Sequence, residues 1–166
     1  MFSLLKPFIF KIDPEMAHDL AIRSLKYNFL PEDIFKVENE EILETEIFNT
    51  KIKNPIGLAA GFDKSAEVYN SLFRFGFGFI EVGTVTPKKQ FGNPKPRVFR
   101  LENDRALINR LGFNNDGLEK ISKRLQKNSP NGFLGVNIGP NKDSKNRVDD
   151  YLKCLKEIYL FANYVT

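Results

Sequence analysis

The sequence has one cysteine, one histidine and no tryptophan in 166 residues. A lone Cys154 excludes an internal disulfide and a multi-cysteine zinc site, which fits a reducing compartment. A lone His18 makes histidine-rich metal chemistry improbable, and no metal ligand set is expected. Long apolar runs are missing too. Uncharged runs such as Asn54–Phe62 and Ile158–Thr166 stop at nine residues, about half a membrane span, so no transmembrane helix is expected. The apolar start is broken by Lys6 and Pro7 and lacks a basic lead-in and a small-residue cleavage site, which argues against a secretory signal.

What is present is a globular composition, 42% hydrophobic and 28% charged. Charge is unevenly spread. Residues 1–50 carry 5 basic and 10 acidic side chains, whereas residues 51–166 carry 20 basic and 11 acidic. A basic half attracts anions, and small anionic substrates or phosphate-bearing cofactors explain it as well as nucleic acid does.

The first 45 residues read as a helical appendage and residues 46–166 as a separate α/β unit. Asp13 is placed to cap a helix beginning at Pro14, with Met16, Ala17, Leu20, Ala21 and Leu25 as its apolar stripe. A short greasy helix precedes it, and the acidic stretch Glu38–Glu46 reads as a connector. Pro55–Ala60 then has the pattern of a buried strand, followed by a helix over Ser65–Phe75 with Ser65 as cap. Further strands are expected at Gly78–Thr84, Phe133–Ile138 and Asn163–Thr166, and helices at Gly117–Lys127 and Tyr151–Phe161. Strand and helix alternating at these lengths mean βαβ units and a parallel sheet. A (β/α)₈ TIM barrel needs roughly 250 residues, so three units and a strand read as the first half of one. Cys154 is expected to be a buried packing residue.

In such barrels chemistry collects in the loops after each strand. Ala59-Ala60-Gly61-Phe62-Asp63-Lys64 follows the first strand. Its small residues either let a flat ligand approach the backbone or merely punctuate a turn, with Lys64 in the pocket mouth or in solvent. The Pro87–Asn115 segment is long, basic and interleaved with Phe91, Phe99, Leu101, Leu107 and Ile108, which suggests short strands folded over the barrel mouth. Asn109–Asn115 offers amides suited to a flat heterocycle, or to Asx turns before the next helix, which Asn115 or Asp116 would cap.

Five ordered strings carry a family resemblance: Asn54–Lys64, Glu81–Pro87, Gly92–Leu101, Ala106–Asn115 and Gly135–Gly139. Together they resemble dihydroorotate dehydrogenase, and Pro14-Glu15-Met16-Ala17-His18 resembles its class 2, the quinone-using branch. The resemblance implies an FMN-containing barrel that oxidises dihydroorotate to orotate in pyrimidine (UMP) biosynthesis, with a membrane quinone as electron acceptor. It implies FMN contacts at Ala60, Gly61, Phe62, Asp63, Lys64, Thr84 and Asn137. It implies substrate contacts at Lys64, Asn109, Arg110, Leu111, Gly112 and Phe113, and a quinone channel lined by His18 and Arg100. For His18 an ordinary polar residue on an amphipathic helix is the alternative. The family's catalytic serine would fall beyond Thr166, so no catalytic base is expected in this sequence, and the chain by itself is expected to be inactive. Pro140 departs from the family, which usually has lysine there. The implied location is peripheral, on the cytoplasmic side of a bacterial inner membrane, without nucleic acid as a partner. A non-catalytic half-barrel and a basic nucleic-acid-binding domain are the competing readings.

Overall fold

The computed structural model describes residues 2–27, 29 and 40–166, with side chains from residue 6 onward. Two helices open the chain, α1 over Phe2–Ile9 and α2 over Pro14–Lys26. The Asp13 carboxylate accepts from the Glu15 and Met16 amides, both at 3.0 Å, and so satisfies two of the first-turn donors. The expected stripe is only half right. Leu25 is buried and Ile22 packs on the core, but Met16 and Leu20 are exposed. Helix α2 turns its His18–Ile22–Leu25 side toward the rest of the molecule and leaves the other apolar side outward.

Residues 38 and 39 of the expected connector lie outside the described residues. Glu41–Leu43 forms a 3₁₀ turn, and an antiparallel hairpin follows, β1 (Thr45–Ile47) with β2 (Thr50–Ile52). Phe48 and Asn49 both take positive φ at its tip, the geometry a two-residue hairpin demands.

The main sheet is parallel, in the order β3-β4-β7-β8, formed by Gly57–Leu58, Phe79–Val85, Phe133–Ile138 and Tyr164–Val165. This is a run of consecutive barrel strands. The first is much shorter than expected. Pro55 has no amide to donate, Ile56 is exposed, and only Gly57 and Leu58 pair with β4. Between β4 and β7 an antiparallel pair, β5 (Val98–Leu101) with β6 (Ala106–Asn109), folds from the long insertion as anticipated. The three helices after the strands are α3 (Tyr69–Phe73), α4 (Leu118–Lys127) and α5 (Arg147–Ile158).

Helix α3 is less than half its expected length. Ala66 sits at φ 51°, and Ser65 does not cap the helix; its hydroxyl accepts from the Asp116 amide at 3.1 Å. Helix α5 starts a turn early because the Asn146 side chain caps it. Neither Asn115 nor Asp116 caps α4, whose N-cap is Gly117.

Alternation along β4 and β7 places Ile80, Val82, Leu134 and Val136 under the helices, fully buried with Ile121, Leu125 and Ile158. Each such side chain contributes about 1.5–3 kcal/mol by leaving water. Cys154 is also fully buried, and burial pushes its thiol up to about 12, so it is an inert packing group. The other face of the sheet is polar at its centre. Glu81 accepts from Asn137 Nδ2 at 3.2 Å, Tyr164 Oη at 3.1 Å and Thr166 Oγ1 at 3.0 Å. Gly135 makes this possible, because a Cβ there would strike the Tyr164 ring that crosses it.

Candidate functional site

The loop after β3 is built around Asp63. Its carboxylate turns inward and accepts from the Glu67 and Val68 amides, both at 2.8 Å. Burial raises its pKa above the usual carboxylate value, against the backbone bonds that favour the anion. Two backbone bonds then tie the loop to β4: Gly61 N to Gly83 O at 2.9 Å, and Gly83 N to Asp63 O at 3.0 Å. Asp63 therefore shapes the turn, and its carboxylate is engaged within the protein.

That turn forms one wall of a cavity of about 630 Å³. Ala60, Gly61, Lys64 and Thr84 line it from the sheet, and Asn109, Arg110, Leu111, Gly112 and Phe113 line it from the insertion. His18 from α2 and Arg100 from β5 close the third side. Eleven of the expected site residues line one space. Phe62 and Asp63 instead border a neighbouring hollow of about 270 Å³ that shares Lys64 and His18. Asn137 sits one layer below and is bonded to Thr84 at 2.6 Å.

Two features of the wall suit a flat polar ligand. Gly61 has φ +107° and no heavy atom within 4 Å of where a Cβ would stand, so the backbone faces open space. Asn114 Oδ1 is buried without a hydrogen-bond partner among the described residues, on a side chain that borders both spaces. A buried acceptor left unpaired costs about 1–3 kcal/mol unless something donates to it. Asn114 was not singled out from the sequence, where it is one of three similar asparagines. Its neighbour Asn115 is purely architectural: its Oδ1 accepts from Gly117 N at 2.8 Å, and its Nδ2 donates to Thr86 Oγ1 at 2.8 Å.

The cations differ in role. Lys64 Nζ lies 3.1 Å from His18 Nε2. Burial lowers the pKa of both groups; the Lys64 charge lowers that of His18 further and the Arg97 charge that of Lys64, while Glu15 and Asp19 act in the opposite direction on both. His18 also packs edge-on against the Phe62 ring at 5.1 Å. Arg100 Nη1 donates to the Phe10 and Ile12 carbonyls at 3.2 and 2.7 Å, so it secures the α1–α2 turn while lining the cavity. Arg110 donates to the Pro96 carbonyl and braces the insertion. Arg97, not anticipated from the sequence, is buried and makes a two-pronged ion pair with Glu15. Among the described residues no cluster of three or more His, Cys, Asp or Glu could hold a metal ion.

The dihydroorotate dehydrogenase family profile matches residues 42–166, and the chain belongs to that family. It is 47% identical over its whole length to a dihydroorotate dehydrogenase (quinone) of Idiomarina loihiensis and covers 51% of that protein. It is 50% identical over 99% of its length to one of Bradyrhizobium diazoefficiens, of which it covers 44%. The structure superimposes on the Eimeria tenella enzyme in complex with ferulenol with a TM-score of 0.86 and 45% identity, covering 92% of this chain and 43% of that one. The chain thus spans about half the length of the relatives it matches.

Proposed function

We propose that the protein carrying this chain oxidises dihydroorotate to orotate and passes the electrons to a membrane quinone. The observation that carries this reading is the single cavity that brings Lys64, Asn109 and Asn114 opposite the open backbone of Gly61. Orotate is a planar carboxylate with amide edges. The Lys64 ammonium holds the carboxylate, and the Asn109 and Asn114 amides bond the ring. FMN, when bound, supplies the two-electron acceptor for this oxidation. Ala60–Lys64, Thr84 and Asn137 would hold it, because Gly61 leaves room for a flat ring against the main chain and Thr84 fixes the Asn137 amide. The serine base that the family resemblance implies matches no residue of this sequence.

His18 and Arg100 stand where α2 and β5 meet the cavity, a place suited to an apolar acceptor arriving between the helices and the sheet. No helix among the described residues is long and apolar enough to cross a membrane. The exposed Phe8, Met16 and Leu20 support peripheral attachment through α1 and α2; the surface we propose for it is the cytoplasmic side of a bacterial inner membrane. Nucleic acid is not among the proposed partners. Three of the four insertion arginines are engaged within the protein: Arg97, Arg100 and Arg110 all donate to backbone carbonyls.

The test is steady-state turnover by the full-length protein. Dihydroorotate-dependent reduction of a soluble quinone, with orotate formed one for one, is expected. Absence of both from a folded, FMN-supplemented protein would refute the proposal.

A further inference from the structure

Glu15 and His18 lie one turn apart on α2 and meet the barrel at two separate places. Glu15 accepts from Arg97 Nε at 3.1 Å and from Arg97 Nη2 at 2.5 Å. The other Arg97 branch donates to the Phe91 and Asn93 carbonyls at 2.6 and 2.9 Å. The guanidinium is thus seated on the insertion between β4 and β5 by one branch and holds the first turn of α2 through Glu15 with the rest. One turn further along, His18 Nε2 meets Lys64 Nζ from the loop after β3. A helix is rigid over one turn, so fixing Glu15 fixes where the imidazole falls.

We propose that the Glu15–Arg97 ion pair is a positioning device that sets His18 on Lys64, so that α2 and the barrel cavity share one proton-bearing pair. An imidazole accepting from an ammonium cannot itself be protonated at that nitrogen without placing two cations 3.1 Å apart. The contact therefore makes the charge of the His18 ring depend on whether α2 is docked on the cavity lysine. Other charged groups around the ring are Glu15 and Asp19 on its own helix, Asp63 and Glu67 on the β3–α3 loop, Lys89 and Arg97 on the insertion, Arg100 on β5 and Asp116 before α4. None of these others is hydrogen-bonded to the imidazole through a side chain among the described contacts, and Glu15 and Asp19 favour its protonation.

The test follows the His18 ring by ¹⁵N NMR through a pH titration of the full-length holoprotein, with His18→Gln identifying its signals. Variants are Glu15→Gln, Arg97→Gln, Lys64→Met and Glu15→Gln combined with Lys64→Met. In the parent protein the midpoint lies below the ordinary histidine value, and Lys64→Met raises it. Taking the Glu15 carboxylate away without moving the helix would lower the midpoint, because an anion is lost. Releasing the ring into water raises it. We therefore expect Glu15→Gln to raise it, and Lys64→Met to add nothing further in the combined variant. A midpoint in Glu15→Gln that is unchanged or lower, or that still responds to Lys64→Met, would overturn the proposal. A role for the pair in stability alone would lower the melting temperature without that upward shift. Arg97→Gln checks the same point from the other partner, and Glu15→Gln stands alone should Arg97→Gln not fold. The readout needs no turnover, so it is independent of the proposed activity.

Discussion

The Thr84 hydroxyl donates to Asn137 Oδ1 at 2.6 Å and so bridges the two central strands, β4 and β7. Asn137 Nδ2 faces the Glu81 carboxylate at 3.2 Å, which leaves the amide a single orientation beneath the cavity. Thr84→Val keeps the shape and removes the donor. An unpaired, partly buried acceptor costs about 1–3 kcal/mol. We expect FMN affinity to fall about tenfold, read by titrating the apoprotein, with a smaller loss in urea stability.

The sequence made the regular parts of this network legible and hid its cross-connections. Strands Phe79–Val85 and Phe133–Ile138 and helices α2 and α4 announce themselves by apolar period, and α2 also by its Asp13 cap. Helix α3 was overestimated because the Asp63 carboxylate, five residues before its N-cap, draws the preceding backbone into a turn. The β1–β2 hairpin was missed beneath an acidic composition, although Asn49 beside alternating Thr and Ile was a usable turn signal. Residues 60–64 stood out because they follow a strand and residues 109–113 because they end a long basic insertion, and the structure brings both stretches to adjoining hollows. The His18–Lys64 and Glu15–Arg97 pairs were not legible, since 46 and 82 residues separate the partners and no local period encodes them.

Gly61 should tolerate no branched side chain when a flat ligand is present. Gly61→Val places its Cβ into the open space at φ +107°, a conformation that also strains valine. The expected product folds but purifies without flavin colour. An unchanged flavin content, measured by absorbance per mole of protein, would place the ligand elsewhere.

Lys64→Ala removes a charge-assisted hydrogen bond, a contribution of about 1.5–3 kcal/mol. Orotate affinity should therefore drop by roughly 10- to 150-fold in a calorimetric titration. Asn114→Leu should weaken it as well, because the orphaned acceptor disappears.

Stability should depend on pH through His18. Burial and the Lys64 charge lower its pKa from the ordinary 6.5 in the folded state. Below about pH 6.5 the unfolded chain takes up a proton that the folded protein refuses, so stability falls with acidification until the folded group also titrates. Urea midpoints measured from pH 8 to 5 should decline in the parent protein, and His18→Gln should flatten that part of the decline. Glu15 adds a lower window. Arg97 holds its carboxyl below the usual 4.5, so its stabilisation is present above that value and is lost as the pH falls through the folded pKa.

Membrane attachment should rest on the outward side of the two helices. Replacing Met16 and Leu20 together by serine removes exposed apolar surface without touching the buried Leu25. Sedimentation with phospholipid vesicles should fall, while orotate binding stays as it was. Retained sedimentation would assign attachment to another surface.

The most direct test of the cavity as the oxidation site is an anaerobic half-reaction with the full-length protein. Mixing with dihydroorotate alone should bleach the flavin absorbance, and a later addition of quinone should restore it, with Lys64→Ala slowing only the first step. A flavin band that dihydroorotate leaves unchanged, in protein shown to contain FMN, would contradict the assignment.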